Sequence, residues 1–164
     1  MIDKLIIQGH YSEPLKKVLE LFAQGVVSPI VLRETLKSYD ASLFDLHAEA
    51  IDVVVDFVNM ILCDHIITKE EMNMLRRLKA FLHIKEGDFI KAHKENEIKD
   101  LLCREFELIY SDKVVDKSEA AMKVDLQELF GLSYDQFLSF EQEAVEHALK
   151  RGADISDLDT FYRL

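Results

Sequence analysis

The chain has 164 residues, 49% of them apolar, with five Gly, two Pro and a formal net charge of −11. That apolar share excludes a disordered chain, and the length suits one domain with a buried core. So acidic a surface repels phosphate backbones, which argues against a nucleic-acid partner and favours cations or basic partners.

Ser12-Glu13-Pro14 marks the start of a first predicted helix, with Leu15, Val18, Leu19 and Phe22 at helical spacing and Gly25 as its stop. Ser28-Pro29 opens a second helix, which carries Ile30, Val31 and Leu36 and fades near Tyr39. A third runs from about Leu46 to Cys63. Ile51, Val54, Val55, Val58, Ile61 and Leu62 give it a wide apolar face, which marks it as central. Thr68 with Glu71 three residues on forms a capping box, and Met72, Leu75, Leu78, Phe81 and Leu82 make the stripe of the helix that follows. A short helix is expected near Asp88 to His93. Another is expected from Ile98 to Tyr110, with Leu101, Leu102, Phe106 and Ile109 inward. Asp116 caps the next helix, again with a Glu three residues later, Glu119. Its core positions are Met122, Leu126, Leu129 and Phe130, and Gly131 ends it. Ser133 begins a last long helix that stops at Gly152, and the tail from Ala153 to Leu164 is acidic.

No stretch alternates with period two, so no strand is expected. No linker or shift of composition divides the chain, and residues 1–164 read as a single domain. The apolar runs fall short of the roughly 20 residues of a membrane span. Met1-Ile2-Asp3-Lys4 lacks a charged-then-apolar targeting pattern, so a cytoplasmic location is expected. Cys63 and Cys103 lie in apolar helical patterns outside any C-x-x-C motif and are expected to be small buried hydrophobes rather than a disulfide.

A shift of 48 positions aligns residues 53–90 with 101–138 without a gap. Val53-Val54 falls on Leu101-Leu102, Asp64 on Asp112, Glu71 on Glu119, Leu78 on Leu126, Ile84 on Leu132 and Phe89 on Phe137. Each copy reads as helix, acidic loop, helix. A fixed period of this kind predicts two similar units in an all-α bundle of about seven or eight helices, related by a pseudo-twofold.

The doubled pattern, Asp64 to Glu71 with Leu78 and Ile84, then Asp112 to Glu119 with Leu126 and Leu132, resembles the TerB family of tellurite-resistance-associated proteins. The resemblance covers about residues 46 to 140. It implies an all-helical bundle with a duplicated acidic helix-loop-helix, a link to stress and tellurite resistance, and a cation role for the loop acids. The family usually places Gly directly after the loop Asp, whereas this chain has His65 and Lys113.

Two chemistries suit those acids. As helix caps, each carboxylate accepts backbone N–H groups and no ligand is required. As a metal site, Asp64, Glu71, Asp112 and Glu119 converge across the pseudo-twofold on a hard divalent cation. An EF-hand fails, because counting from Asp112 puts Val114 at the third position and Lys123 at the twelfth. None of the six histidines forms H-E-x-x-H, and no G-x-S-x-G or Gly-rich phosphate loop occurs. The expectation is a non-enzymatic TerB-like module that binds a protein partner, with a divalent cation as candidate ligand. The alternative is a metal-dependent enzyme using the paired loop carboxylates.

Overall fold

The computed structural model describes the backbone of residues 1–26, 28–109 and 117–150. Side chains are described for the same residues apart from 107–109, 117–120, 144 and 147–149. The described residues form nine α-helices and no strand, so the all-α class read from the sequence holds. The helices are α1 (Ile2–Gln8), α2 (Glu13–Ala23), α3 (Pro29–Lys37), α4 (His47–Ile61), α5 (Lys69–Phe81), α6 (Asp88–Lys91), α7 (Glu95–Ile109), α8 (Lys117–Phe130) and α9 (Tyr134–Lys150). Among the described residues, no helix is long and apolar enough to cross a membrane. The chain packs as two compact units, Met1–Asp88 and Phe89–Leu164.

The first unit is built on α4. Ala50, Ile51, Val53, Val54, Val55, Phe57, Val58 and Ile61 are all buried, so most of the circumference is covered by protein, and a stripe that includes Ala48, Asp56 and Asn59 is left exposed. A helix apolar on so many sides must sit at the centre of its unit. α1 and α5 both pack on α4, and α2 lies between α1 and α3. α5 covers α4 with Met72, Leu75 and Leu78. Its last turn sends Phe81 against Phe22 of α2, ring centroids 5.3 Å apart and tilted by 42°. The Arg77 guanidinium lies 5.8 Å from the centre of the Phe22 ring. Arg77 therefore makes a cation–π contact.

In the second unit α7 packs against both α9 and α8, more extensively against α9. Phe106 and Phe137 meet edge to face at 5.5 Å. Leu102, Leu126, Leu129 and Phe130 are fully buried beside them. Each such side chain removed from water contributes about 1.5–3 kcal/mol.

Several expectations are corrected. α1 was not anticipated: seven residues carry too few apolar positions to establish a period, although Ile2 and Leu5 are buried. α3 turns Leu32 and Leu36 inward and leaves Ile30 and Val31 exposed, because Leu32 and Leu36 share the i, i+4 face that meets α2. Met122 is only half-buried and its neighbour Lys123 is inside. Cys63 is exposed and Cys103 half-buried. α4 ends at Ile61, and Cys63 falls in a 3-10 turn that leaves the core, so helical periodicity no longer governs which way it faces.

Many of the positions related by the 48-residue shift match in burial, but Val55 and Asp88 are buried where Cys103 and Gln136 are half-buried. Val53, Val54, Leu78 and Ile84 are buried, as are Leu101, Leu102, Leu126 and Leu132. Their second helices also end alike. His83 has φ 59° and Gly131 φ 56°. The Ile84 N–H reaches back to the Lys79 carbonyl at 2.8 Å, and the Leu132 N–H to the Gln127 carbonyl at 3.2 Å. The Lys85 N–H donates to Asp88 Oδ2 at 2.8 Å, and the Ser133 N–H to Gln136 Oε1 at 2.9 Å.

Candidate functional site

The first acidic loop runs from the end of α4 to the start of α5. Residues Leu62–Asp64 form one 3-10 turn, and His65 follows in the left-handed region at φ 59°, ψ 22°. The backbone there takes up the conformation Gly permits while carrying a side chain. The cost to an L-residue is about 1–2 kcal/mol.

Each acid of this loop is used locally. Asp64 Oδ1 accepts the Ile66 N–H at 3.1 Å, which closes an Asx turn over His65. Glu71 Oε2 accepts the Thr68 N–H at 3.0 Å and the Thr68 hydroxyl at 2.7 Å. Thr68 Oγ1 accepts the Glu71 N–H at 3.2 Å. Thr68 and Glu71 thus form the capping box that their spacing predicted, and two orphan donors at the start of α5 are satisfied. Asp64 and Glu71 belong to one loop but bond different backbone donors. Asp112 lies outside the described residues. Glu119 stands in α8, and its side chain also lies outside them. Among the described residues no group of three or more His, Cys, Asp and Glu side chains is arranged to hold a metal ion.

A second polar arrangement in the first unit is absent from the sequence reading. Tyr11 Oη donates to Asp56 Oδ2 at 2.5 Å. The Ser12 N–H donates to Glu49 Oε1 at 2.9 Å, and its hydroxyl to Glu49 Oε2 at 2.5 Å. Ser12 therefore spends its hydroxyl on α4 and makes no side-chain cap to α2. Glu49, Asp52 and Asp56, spaced i, i+3, i+7, form one row on α4, and that spacing was the available signal. Burial of the Tyr11 ring and then its bond to Asp56 hold the phenol well above its usual pKa. Nearby, His47 Nε2 lies 3.7 Å from Asp88 Oδ2, a pair that is ionic only when the imidazole is protonated.

Comparison with protein-family models, with curated proteins and with solved structures found no match to this chain.

Proposed function

We propose that this chain is a non-enzymatic helical module of the TerB-like type, whose acidic loops brace helix ends and whose task is to bind a protein partner. The observation that carries this reading is the use of the first loop's acids. Asp64 and Glu71 are engaged by the Ile66 and Thr68 donors, so their presence is accounted for by the turn and the cap without a ligand. The recurrence after 48 residues of several buried positions and of the same helix ending supports the TerB-like part of the reading. The partner-binding part rests on large apolar side chains left in solvent on the first unit, Phe44 at 88% and Ile30 at 61% exposure.

Two measurements test it. Thermal unfolding is followed with Ca²⁺, Mg²⁺, Mn²⁺ or Zn²⁺ added to wild type and to Asp64→Asn and Glu71→Ala. The reading expects no upward shift with any ion, and a cap loss of about 0.5–2 kcal/mol for Glu71→Ala that is the same with and without metal. A rise in Tm that Asp64→Asn abolishes would replace it with a cation site. Affinity capture then compares wild type with Ile30→Ser and Phe44→Ser. A protein retained by wild type and lost by both variants is the expected outcome, and identical captures sink the partner assignment.

A further inference from the structure

α4 is covered by its neighbours on most sides, and one strip of it is open. At about 100° per residue, Ala48, Glu49, Asp52, Asp56 and Asn59 fall within a single arc of roughly 100°. Ala48, Asp56 and Asn59 are exposed along it. The strip follows the 15 residues of α4, about 22 Å. A large apolar side chain stands in solvent beyond each end, Phe44 at 88% exposure before the first turn and Ile66 at 63% after the last. Both backbones are fixed. The Ser42 N–H and hydroxyl donate to Asp45 Oδ2 at 2.9 and 2.6 Å, the Leu46 N–H donates to the Ser42 carbonyl at 3.2 Å, and Leu46 is buried. The Ile66 N–H is tied to Asp64 Oδ1. An apolar side chain displayed on an ordered turn forgoes the free energy of burial, and its backbone gives up little freedom when a partner covers it.

Charge decides what fits there. From Ser38 to Thr68 the chain carries Asp40, Asp45, Glu49, Asp52, Asp56 and Asp64 and no Lys or Arg, although 20 occur in the rest of the chain. Tyr11 donates to Asp56 and Ser12 to Glu49. A hydrogen bond from a neutral donor leaves the carboxylate its charge, so these contacts hold two of the charges in place along the strip. Charges beyond about 8 Å are largely screened at physiological salt, so a partner on the strip meets these local acids without a local base to offset them. A straight strip one helix wide on a bundle helix is the surface on which another helix packs. The complement is a helix with Lys or Arg facing the strip and apolar side chains for the anchors at its ends, an amphipathic docking mode.

We propose that the open strip of α4 is the docking site for a Lys/Arg-rich amphipathic helix of a partner protein, anchored by Phe44 and Ile66. This rests on the reading that the chain binds a protein partner, and it names that partner's chemistry. The probe is a labelled helical peptide as long as α4, 15 residues, with leucines on one face and lysines on the other. Its control has glutamates in place of the lysines. Binding to the full chain is read by fluorescence anisotropy at about 0.15 M salt. The lysine peptide binds and the glutamate peptide does not. Phe44→Ser and Ile66→Ser leave the net charge unchanged, and each weakens binding at least about tenfold. Ala48→Arg, on the strip, weakens it as much, whereas Ala23→Arg, the same charge at an exposed position of α2, changes it less than about threefold. All four positions are solvent-facing, and circular dichroism checks that the variants fold. Equal binding of the two peptides overturns the proposal. So does a Phe44→Ser chain that binds like wild type, or an Ala23→Arg effect equal to that of Ala48→Arg, since the attraction is then diffuse. A wild-type chain that self-associates through Phe44 in sedimentation also overturns it, because a second copy then fills the strip. A lysine peptide that fails to bind overturns it too, and a capture that still depends on Ile30 and Phe44 would then leave the broader partner reading standing.

Discussion

Tyr11 concentrates several forces in one side chain. Its ring lies so close to Gly9 that a Cβ there would come within 2.0 Å of Tyr11 Cε2, so Gly9 is required for close approach rather than for an unusual φ. The ring is 7% exposed, and the hydroxyl reaches Asp56. The folded chain therefore holds the phenolic proton beyond the pH, about 10, at which an unfolded tyrosine releases it. A raised pKa contributes stability that is complete below the unfolded value and is lost as pH rises past it. Urea unfolding at a series of pH values should show stability falling above about pH 10, and Tyr11→Phe should flatten that fall. At neutral pH the same substitution removes one hydrogen bond to a carboxylate and should cost about 1 kcal/mol. An unchanged alkaline slope in Tyr11→Phe would show that other groups govern it.

The ends of α5 and α8 show how one backbone shape is reached with two residues. His83 and Gly131 occupy the left-handed position after their helices, and each is followed by an N–H that reaches back into the last turn. Gly adopts this conformation freely, whereas an L-residue strains. Substituting His83→Gly should raise stability by about 0.5–1 kcal/mol, and Gly131→Ala should lower it by about 1 kcal/mol, both read from denaturant midpoints. Shifts of the same sign in the two variants would mean that side-chain contacts, not backbone strain, dominate these turns. Gly131 was recognisable as a helix stop. His83 was not, because the composition signal for a left-handed cap is Gly or Asn, and a histidine in that role is read as one more helical residue.

At the scale of the whole molecule, the two units reach a covered core by different means. α4, α5 and α2 in the first unit close around apolar side chains. The second unit closes α7, α8 and α9 around Phe106, Phe130 and Phe137 and admits a buried ion pair. Leu78 and Leu126 are both fully buried. Truncating either to Ala should cost about 2–5 kcal/mol in equilibrium unfolding, the range for a core cavity. A cost below about 1 kcal/mol at either position would mean that the neighbouring helices collapse into the space.

Helical class, most element positions, the Thr68–Glu71 capping box and the burial of Leu78 and Leu126 are local properties. They follow from the period of apolar residues and from hydrogen bonds spanning three residues, so the sequence alone determined them. The row Glu49, Asp52 and Asp56 was visible as a spacing, yet its partners Tyr11 and Ser12 lie 37 to 45 residues away in the chain. Only the packing of the α1–α2 turn on α4 brings them together. The exposure of Cys63 was likewise decided by where α4 stops. Lys123 is the clearest case. By residue type it belongs in water, and its place inside depends on the approach of Glu141 on α9, because a buried charge is admitted where a second helix supplies a counter-charge.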